Sequence, residues 1–281
     1  MSLNFFKALL LASICVHLSL WSENFVLFTE PKTGTHLLIP VLTALTGKKV
    51  FWAKKYQEET KLLAENKTLT EDPQDIYFSS GRAPWNRKTM DQIWAKNEKN
   101  GTFLHLHAPF TVTLENYLLE HSCINFFIKR DPRDQIVSLL NHYKHIHLND
   151  PSLASIVSDD EKLLLMIRKD LRRETLYFKG WVHSPACCTL DFSKLMGNHG
   201  GAATDLDALG ELKKIAAALK VDISDQDLYN VYKSNFGKGY SFFKGKVGAW
   251  KEYFKEEHKT AVKEEIGDLL IELGYEQDFN W

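Results

Sequence analysis

The sequence predicts an α/β fold with a central parallel sheet flanked by helices. Short apolar runs alternate with longer stretches in which apolar residues recur at helical spacing. Strands that alternate with helices in this way are typical of parallel sheets, because a crossover helix returns the chain to the same edge of the sheet. The 281 residues, 44% of them hydrophobic, are enough for one large domain or two small ones.

Each element follows from a local pattern. The predicted strands are the apolar runs at 24–30, 102–107, 124–129 and 187–192. The first run leads through a tight loop into a helix from His36 to Thr46, which ends at Gly47. Further helices are predicted at 114–121, 135–147, 159–178, 206–219 and 249–273. The polar segment 48–100 is expected to form loops and short helices, as a lid or substrate-facing insertion would.

The overall charge excludes a global electrostatic role. Thirty-five basic and 36 acidic residues give a formal net charge of −1, so no general field favours a nucleic acid or an anionic membrane as partner. Any bound anion must therefore be held by a local site. The four cysteines show no metal-ligand spacing and are interpreted as mostly buried thiols, and no metal is expected.

Residues 1–22 contain an apolar run from Ala8 to Trp21. Fourteen residues are too few to span a bilayer, which needs about 20. The run matches the core of a secretory signal peptide or a short hydrophobic anchor, with Lys7 as a positive flank, and equally a buried first element of the fold. A signal or anchor would make the protein secreted or membrane-associated, and otherwise it would be cytoplasmic. The folded domain is expected to cover residues 23–281.

The loop Pro31 to Thr35 joins the first predicted strand to the start of a helix. Backbone amides and the helix dipole favour an anion at such a position, and Lys32 adds a full positive charge. The loop is not a Walker loop, because the pattern GxxxxGK[ST] occurs nowhere in the sequence. In isolation, a polar turn that caps a helix explains the same residues.

Two further segments could hold an anion. Arg130 follows the strand at 124–129, at the edge where open α/β sheets bind ligands, and Ser138 lies eight residues later in the next helix. A guanidinium and a hydroxyl so placed could grip a phosphate, although exposed charges there could also be merely solvated. Lys244 and Gly245 open a glycine-rich stretch before Trp250. Three segments that could each bind an anion are harder to explain as ordinary surface loops than a single such segment would be.

Together the three segments resemble the sulfotransferase family that uses 3′-phosphoadenosine 5′-phosphosulfate (PAPS). TEPKTGTH is similar to the family's 5′-phosphosulfate loop PKSGTTW, IKRDPRDQIVSLLNHY to its 3′-phosphate segment, and FFKGKVGAWKEYF to its RKGxxGDWKxxF segment. The resemblance extends from Asn24 to the end of the chain. It implies a three-layer, P-loop-like α/β fold and transfer of a sulfuryl group from PAPS to a hydroxyl or amine, with PAP as the product and no metal.

The resemblance also implies roles for individual residues. Those expected around the 5′-phosphate are Lys32, which would stabilise the leaving group, Thr33, Gly34, Thr35 and His36. Those expected at the 3′-phosphate are Arg130 and Ser138, assisted by Lys244 and Gly245. Phe236, with Phe192 and Ser234, falls where the family packs adenine.

His107 is the candidate general base. It stands in His105-Leu106-His107-Ala108-Pro109, where the resembling family has Lys-Thr-His-x-Pro. A histidine suits this task because its ordinary pKa lies near 6.5.

The chain departs from the family pattern at several positions. His105 and Phe243 replace two cations, and His36 and Leu37 stand where threonine and tryptophan are usual. The first hypothesis is an active sulfotransferase, and the second is a noncatalytic module that binds PAP or another phosphoanhydride. The absence of a Walker loop disfavours a nucleotide kinase. The acceptor could be a small molecule, a lipid or a carbohydrate. The sequence does not reveal the oligomeric state, and membrane association would depend on the N-terminus.

Overall fold

The computed structural model describes residues 24–52, 75–76, 85–145, 156–237 and 244–281. Within these ranges the central sheet has five parallel strands in the order β2-β5-β1-β6-β7. They are β1 (Phe25–Phe28), β2 (Lys49–Trp52), β5 (Thr102–Leu106), β6 (Ile124–Lys129) and β7 (Cys187–Asp191). A separate antiparallel pair consists of β3 (Asp75–Ile76) and β4 (Trp85–Asn86). The predicted α/β fold with a central parallel sheet is confirmed.

Helices follow most of the strands. Those of the first half are α1 (Thr35–Thr46), α2 (Arg87–Asn100), α3 (Val112–Glu120) and α4 (Pro132–His145). Next comes a long helix of three parts, α5 (Asp159–Met166), a π-helical turn (Ile167–Leu171) and α6 (Arg172–His183). The remaining described helices are α7 (Phe192–Leu195), α8 (Gly197–Gly200), α9 (Asp205–Ala218), α10 (Asp225–Asn235), α11 (Trp250–Tyr253) and α12 (Glu256–Glu272).

Strand β1 is buried on both faces. Phe25 and Leu27 pack in one apolar cluster with α1 and α9, whereas Val26 and Phe28 pack in a second cluster with α2, α3 and α6. Side chains of a strand alternate between the two faces of a sheet, so an entirely apolar strand requires helices on both sides. The result is three layers. A third cluster joins α4, α5 and α12.

The order of the strands sets the position of the site. Because β1 pairs with β5 on one side and with β6 on the other, the segments that follow these three strands lie next to one another. They contain Lys32, His107 and Arg130, respectively. The carboxyl edge of a parallel sheet is where ligands of open α/β folds bind.

The prediction of one helix over 249–273 is wrong. α11 ends at Tyr253, Phe254 is extended (φ −80°, ψ 123°), and α12 begins at Glu256. The buried side chain of His258 causes the new start, because its Nδ1 accepts a hydrogen bond from the backbone N–H of Lys255 at 3.0 Å. The apolar periodicity continues through this break, so it does not reveal the cap.

Further elements were not predicted as such. Segment 48–100 contains β2 and the fourteen-residue helix α2 instead of only loops and short helices, and its remaining residues lie mostly outside the described ranges. Helix α10 was missed, although Ser224 caps it by accepting the N–H of Asp227 at 3.1 Å. A serine followed three residues later by an acid is a readable start signal.

The predicted N-terminal segment 1–22, including Cys15, lies outside the described residues. In the described ranges Cys123, Cys187 and Cys188 are free thiols, and the adjacent pair does not form a disulfide. No described helix is long and apolar enough to cross a membrane.

Candidate active site

The loop after β1 is held by its carbonyl oxygens. Four successive carbonyls, from Thr29 to Lys32, each accept a hydrogen bond from a side chain. The bonds run from His107 Nδ1 to Thr29 O at 2.8 Å, from Thr33 Oγ1 to Glu30 O at 2.8 Å, from Gln135 Nε2 to Pro31 O at 2.7 Å and from Arg130 Nη1 to Lys32 O at 2.5 Å. Three of the four donors are residues to which the sequence resemblance gives a role in the site.

The loop backbone takes left-handed conformations at Lys32 (φ 67°) and Gly34 (φ 108°). Gly34 is the N-cap of α1, and the amides in the first turn of a helix have no acceptor within the helix. A Cβ atom on Gly34 would lie 3.1 Å from Cδ2 of Phe192. The loop therefore requires glycine here, and it ends at a helix N-terminus that favours an anion.

Two cations are enclosed together at this loop. Burial, reinforced by the nearby charge of Arg130, lowers the pKa of Lys32 to about 8. Burial also lowers the pKa of Arg130 to about 10, although Asp134 and Asp131 oppose this shift. The Arg130 guanidinium lies 4.2 Å from the ring centroid of Phe192, and within the described part of the chain its buried Nε meets no hydrogen-bond acceptor. An anion would relieve the repulsion between these cations.

The two nearby carboxylates are engaged elsewhere. Asp131 accepts hydrogen bonds from the buried guanidinium of Arg133, the closest at 2.8 Å. Asp134 accepts the backbone N–H groups of Gly248 at 2.7 Å and Trp250 at 2.9 Å. Asp134 thus ties the segment before α11 to the start of α4.

Ser138, the predicted partner of Arg130, is half-buried on α4. It lies four residues after Asp134, and residues four apart share one face of a helix. Its side chain therefore lies on the face that the segment 244–250 approaches. The structure in this way brings the second and third predicted segments together.

His199, which no sequence pattern singles out, connects the segment of Lys244 and Gly245 with Phe236. His199 Nε2 bonds to the carbonyl oxygen of Lys244 at 2.9 Å, and its ring lies 5.1 Å from the ring of Phe236. Lys244 Nζ is 3.9 Å from Glu252, with 44% of the side chain exposed. Gly245 is left-handed (φ 63°). Phe243 lies outside the described residues.

The other aromatic positions differ in burial. Phe192 is buried in the core below Gly34 and Arg130. Phe236 is half-buried and also packs against Tyr232 with ring centroids 5.3 Å apart. Ser234 is exposed and donates its hydroxyl to Val231 O at 3.0 Å.

The hydrogen bond to Thr29 fixes the proton of His107. A carbonyl oxygen can only accept, so Nδ1 carries the hydrogen and Nε2 keeps its lone pair. Burial, together with the charges of His36 and Lys32, holds the pKa of His107 below its usual value despite this hydrogen bond. The imidazole is therefore neutral at pH 7 and has the tautomer that a general base needs.

Two more histidines, His36 and His105, lie close to His107. Burial and the charge of Lys32 lower the pKa of His36. His105 is buried, and its ring packs edge-on against the ring of His107 with centroids 5.1 Å apart. Its Nε2 lies 3.4 Å from Oγ1 of Thr29, which in turn shares a 2.7 Å hydrogen bond with Oγ1 of Thr35.

Sequence reasoning missed Glu30 and Gln135. Glu30 is a buried acid at the start of the loop, and Gln135 holds Pro31 O from α4. The glutamate was visible as one charged residue closing an apolar run, but nothing local indicates that helices enclose it.

Comparisons with known proteins show which solved structures have a similar fold. No family model matches the chain, and no curated protein matches it. Among solved structures it is similar to mouse sulfotransferase SULT7A1 complexed with PAP, with a TM-score of 0.55, 18% identity and coverage of 90% of this chain and 89% of that one. It is also similar to retinol dehydratase in complex with androsterone and inactive cofactor PAP (TM-score 0.53, 14% identity, coverage 88% and 80%). A structure of retinol dehydratase with retinol and PAP gives a TM-score of 0.55 at 14% identity, with coverage of 88% and 81%.

Sequence identities of 14–18% are evidence of a similar fold only. The matches cover 88–90% of this chain and 80–89% of the others, and a central parallel sheet flanked by helices is common to the predicted and the observed architecture. The chain therefore has the three-layer α/β fold of the sulfotransferases, as the three sequence segments predicted.

Proposed function

We propose that this protein is a sulfotransferase that moves a sulfuryl group from PAPS to a hydroxyl of its acceptor. The observation that carries the proposal is the enclosure of Lys32 and Arg130 together beside a helix N-terminus. Burying two like charges is costly unless an anion joins them. The two carboxylates nearest to Arg130, those of Asp131 and Asp134, already serve other partners.

The residues present fit a nucleotide that carries two separate phosphates. Lys32, the first turn of α1 and the hydroxyl of Thr35 would hold the 5′ group. The buried Nε of Arg130, which meets no acceptor among the described residues, supports a 3′-phosphate there, together with Ser138 and the backbone around Lys244 and Gly245. Phe236 offers a partly exposed ring for the adenine.

In the reaction the acceptor oxygen bonds to sulfur while the bond from sulfur to the 5′-phosphate oxygen breaks, and PAP leaves with that electron pair. His107 takes the acceptor proton on Nε2, and its Nδ1–H remains on the Thr29 carbonyl. Lys32, when protonated, neutralises the charge that develops on the departing phosphate. The negative charge of the bound donor raises the basicity of His107 above that in the empty protein.

The test is turnover with PAPS and a panel of hydroxyl acceptors, comparing the wild type with His107→Ala. We expect the variant to lose at least about 10²-fold in kcat, while its affinity for PAP stays within about twofold. The matched control is His121→Ala, because His121 Nδ1 also bonds to a backbone carbonyl, that of Tyr117, at 2.8 Å. His121 lies at the end of α3, and we expect His121→Ala to leave turnover unchanged.

The outcomes separate the two hypotheses drawn from the sequence. Turnover that depends on His107 and not on His121 supports the enzyme. Binding of PAP without turnover of any acceptor points instead to the noncatalytic module. Full turnover by His107→Ala would refute the assignment of the base.

A further inference from the structure

A cavity of about 450 Å³ opens beside the loop after β1. Glu30 and Pro31 of the loop form one wall, residues of α4 form the second, and α5, the π-helical turn and α6 form the third. π-helical turns are rare and occur frequently at functional sites. The volume suits a compact organic molecule.

The inner wall carries two buried hydrogen-bonding side chains, Glu30 and Gln135. Each has 8% of its surface exposed. Gln135 Nε2 donates to Pro31 O, which fixes the orientation of the amide because a carbonyl oxygen cannot donate. When Glu30 is ionised, the buried Oε1 of Gln135 then meets no donor within the described residues, since only the protonated carboxyl of Glu30 supplies one. A buried acceptor without a donor is costly, so this position favours a ligand with N–H or O–H groups.

Among the described residues, no cation forms an ion pair with the carboxyl of Glu30. Burial, with the nearby charge of Glu174, raises its pKa to about 8 even though Gln135 hydrogen-bonds it. Of the two cations at the cavity, Arg173 is exposed and bonds to Asp170 at 2.7 Å and Glu174 at 3.1 Å. Lys169 is also exposed, so solvent screens its charge.

Two tyrosines are the other titratable groups near Glu30 in the described part of the chain, and a tyrosine does not supply a cation. Tyr143 lines the cavity from α4. Tyr275, beyond α12, is close enough that the charge of Glu30 contributes to its raised pKa, together with burial, Asp131 and Asp191. The deepest part of the cavity therefore presents an acid and an amide oxygen, both of which attract hydrogen-bond donors.

We infer that the cavity is the acceptor pocket and that it selects alcohols carrying an amine, whose ammonium group binds between Glu30 and Oε1 of Gln135. The inference rests on the proposed sulfotransferase function. Ile136 and Leu139 on α4 and Leu165 and Met166 on α5 offer the apolar surface for the hydrocarbon body. An ammonium has three donors and no acceptor, which matches a carboxylate and an amide oxygen together. An anionic acceptor would meet the Glu30 carboxyl, which disfavours it.

The same loop connects the cavity with the chemistry. Glu30 directly follows Thr29, whose carbonyl holds His107, and precedes Lys32 by two residues. The inference requires that an acceptor anchored at Glu30 through its ammonium group reaches Nε2 of His107 with its hydroxyl. The ammonium remains intact, and the hydroxyl oxygen receives the sulfuryl group as described above.

The test is calorimetric titration of the full chain with tyramine and with 4-ethylphenol, which has the same phenol but no amine. Titrations at pH 7, with and without PAP, use two buffers of different protonation enthalpy. We expect tyramine to bind at least about tenfold more tightly and to release close to one proton, because an ammonium ionises the mostly protonated Glu30. Glu30→Gln should bring the affinity for tyramine to that for 4-ethylphenol and abolish the proton release.

Glu256→Gln is the matched control, since it makes the same substitution at a side chain that is 87% exposed. It should bind both phenols as the wild type does. Equal binding of the two phenols by the wild type, absence of binding of both, or a Glu30→Gln variant that keeps the preference would each overturn the inference. If Glu30→Gln does not fold, the inference is tested by the wild type alone, through its preference for tyramine and its release of a proton.

Assays with PAPS separate this inference from the proposed function. Sulfation of 4-ethylphenol without any preference for tyramine leaves the sulfotransferase standing and refutes the amine pocket. Tight, proton-releasing binding of tyramine without sulfation of either phenol supports the amine site and counts against both the proposed reaction and the pocket's role as an acceptor site.

Discussion

The loop after β1 and the segment 244–250 both carry lysines and left-handed glycines, yet they differ in enclosure. Lys32 lies in the loop with a left-handed backbone, and burial together with the charge of Arg130 lowers its pKa to about 8. Lys244 and Lys246 are 44% and 58% exposed, and each lies 3.9 Å from the same carboxylate, that of Glu252. The loop offers desolvated charge, whereas the segment is held mainly through its backbone.

This difference indicates where binding free energy arises. A charge in a dry site interacts strongly with an anion, whereas exposed charges are screened and contribute little. The segment 244–250 is positioned by Asp134 through two backbone N–H groups and by His199 through a carbonyl. We therefore expect substitutions of enclosed residues to change function far more than substitutions of exposed lysines.

Lys32→Met should produce the largest effect. It removes the charge and keeps the length of the side chain, so we expect kcat with PAPS to fall by about 10²–10³-fold. The pKa of Lys32 is lowered in the folded state, so its charged form is disfavoured there and the melting temperature should not fall. Kinetics combined with thermal melting checks both statements. A lower melting temperature with unchanged kcat would show a structural role instead.

Gly34→Ala, paired with Gly248→Ala, separates the two regions by stability. Both glycines are left-handed, at φ 108° and 74°, but a Cβ would meet Phe192 at 3.1 Å at Gly34 and nothing within 4 Å at Gly248. Left-handed alanine costs about 1–2 kcal/mol, so Gly248→Ala should lose about 1 kcal/mol and Gly34→Ala about 2 kcal/mol or more. Urea denaturation measures both. Equal losses would contradict the close packing at the loop.

The pH dependence of PAP affinity probes Lys32 directly. Its pKa of about 8 means that it loses its proton as the pH rises through 8, and only the charged form attracts phosphate. Affinity should therefore fall by about tenfold per pH unit above pH 8, because the phosphates themselves are already ionised there. Lys32→Met should lack this dependence between pH 7 and 9. A wild-type affinity that is constant over this interval would contradict the enclosure of Lys32.

Lys244→Ala and Lys246→Ala should show the smallest effects. Exposed charges contribute about 0.2–1 kcal/mol, so we expect PAP to bind no more than about fivefold more weakly to Lys244→Ala. Lys246→Ala should bind within about twofold of the wild type, and 0.5 M salt should reduce both differences. Titration at low and high salt is the measurement. A loss above about 30-fold for Lys244→Ala would place a direct phosphate contact in the exposed segment.

Much of the fold could be predicted because its strands are continuous apolar runs. Strands were predicted at 24–30, 102–107, 124–129 and 187–192, and β1, β5, β6 and β7 form within them. Local signals also explain the end of α1 at Gly47, which is left-handed and bonds to Thr43 O. The break between α11 and α12 was missed because it depends on the side chain of His258 and not on periodicity.

The site could be predicted only in part, because its geometry comes from the order of strands. Lys32, Arg130 and His107 could be proposed from local sequence, but the order that places β1 between β5 and β6 and brings their loops together could not. Glu30 and Gln135 were not foreseen. Their burial depends on helices far along the chain, and no local pattern encodes such contacts.

The most direct test of the account is calorimetric titration of the full chain with PAP and with AMP, which lacks the 3′-phosphate. The enclosed pair of cations predicts micromolar binding of PAP, binding of AMP at least about tenfold weaker, and much weaker binding of PAP in Lys32→Ala and Arg130→Ala. Lys246→Ala, the matched exposed control, should bind PAP as the wild type does. No binding of PAP by the folded wild type, or equal losses in Lys32→Ala and Lys246→Ala, would contradict the claim that Lys32 and Arg130 form the anion site.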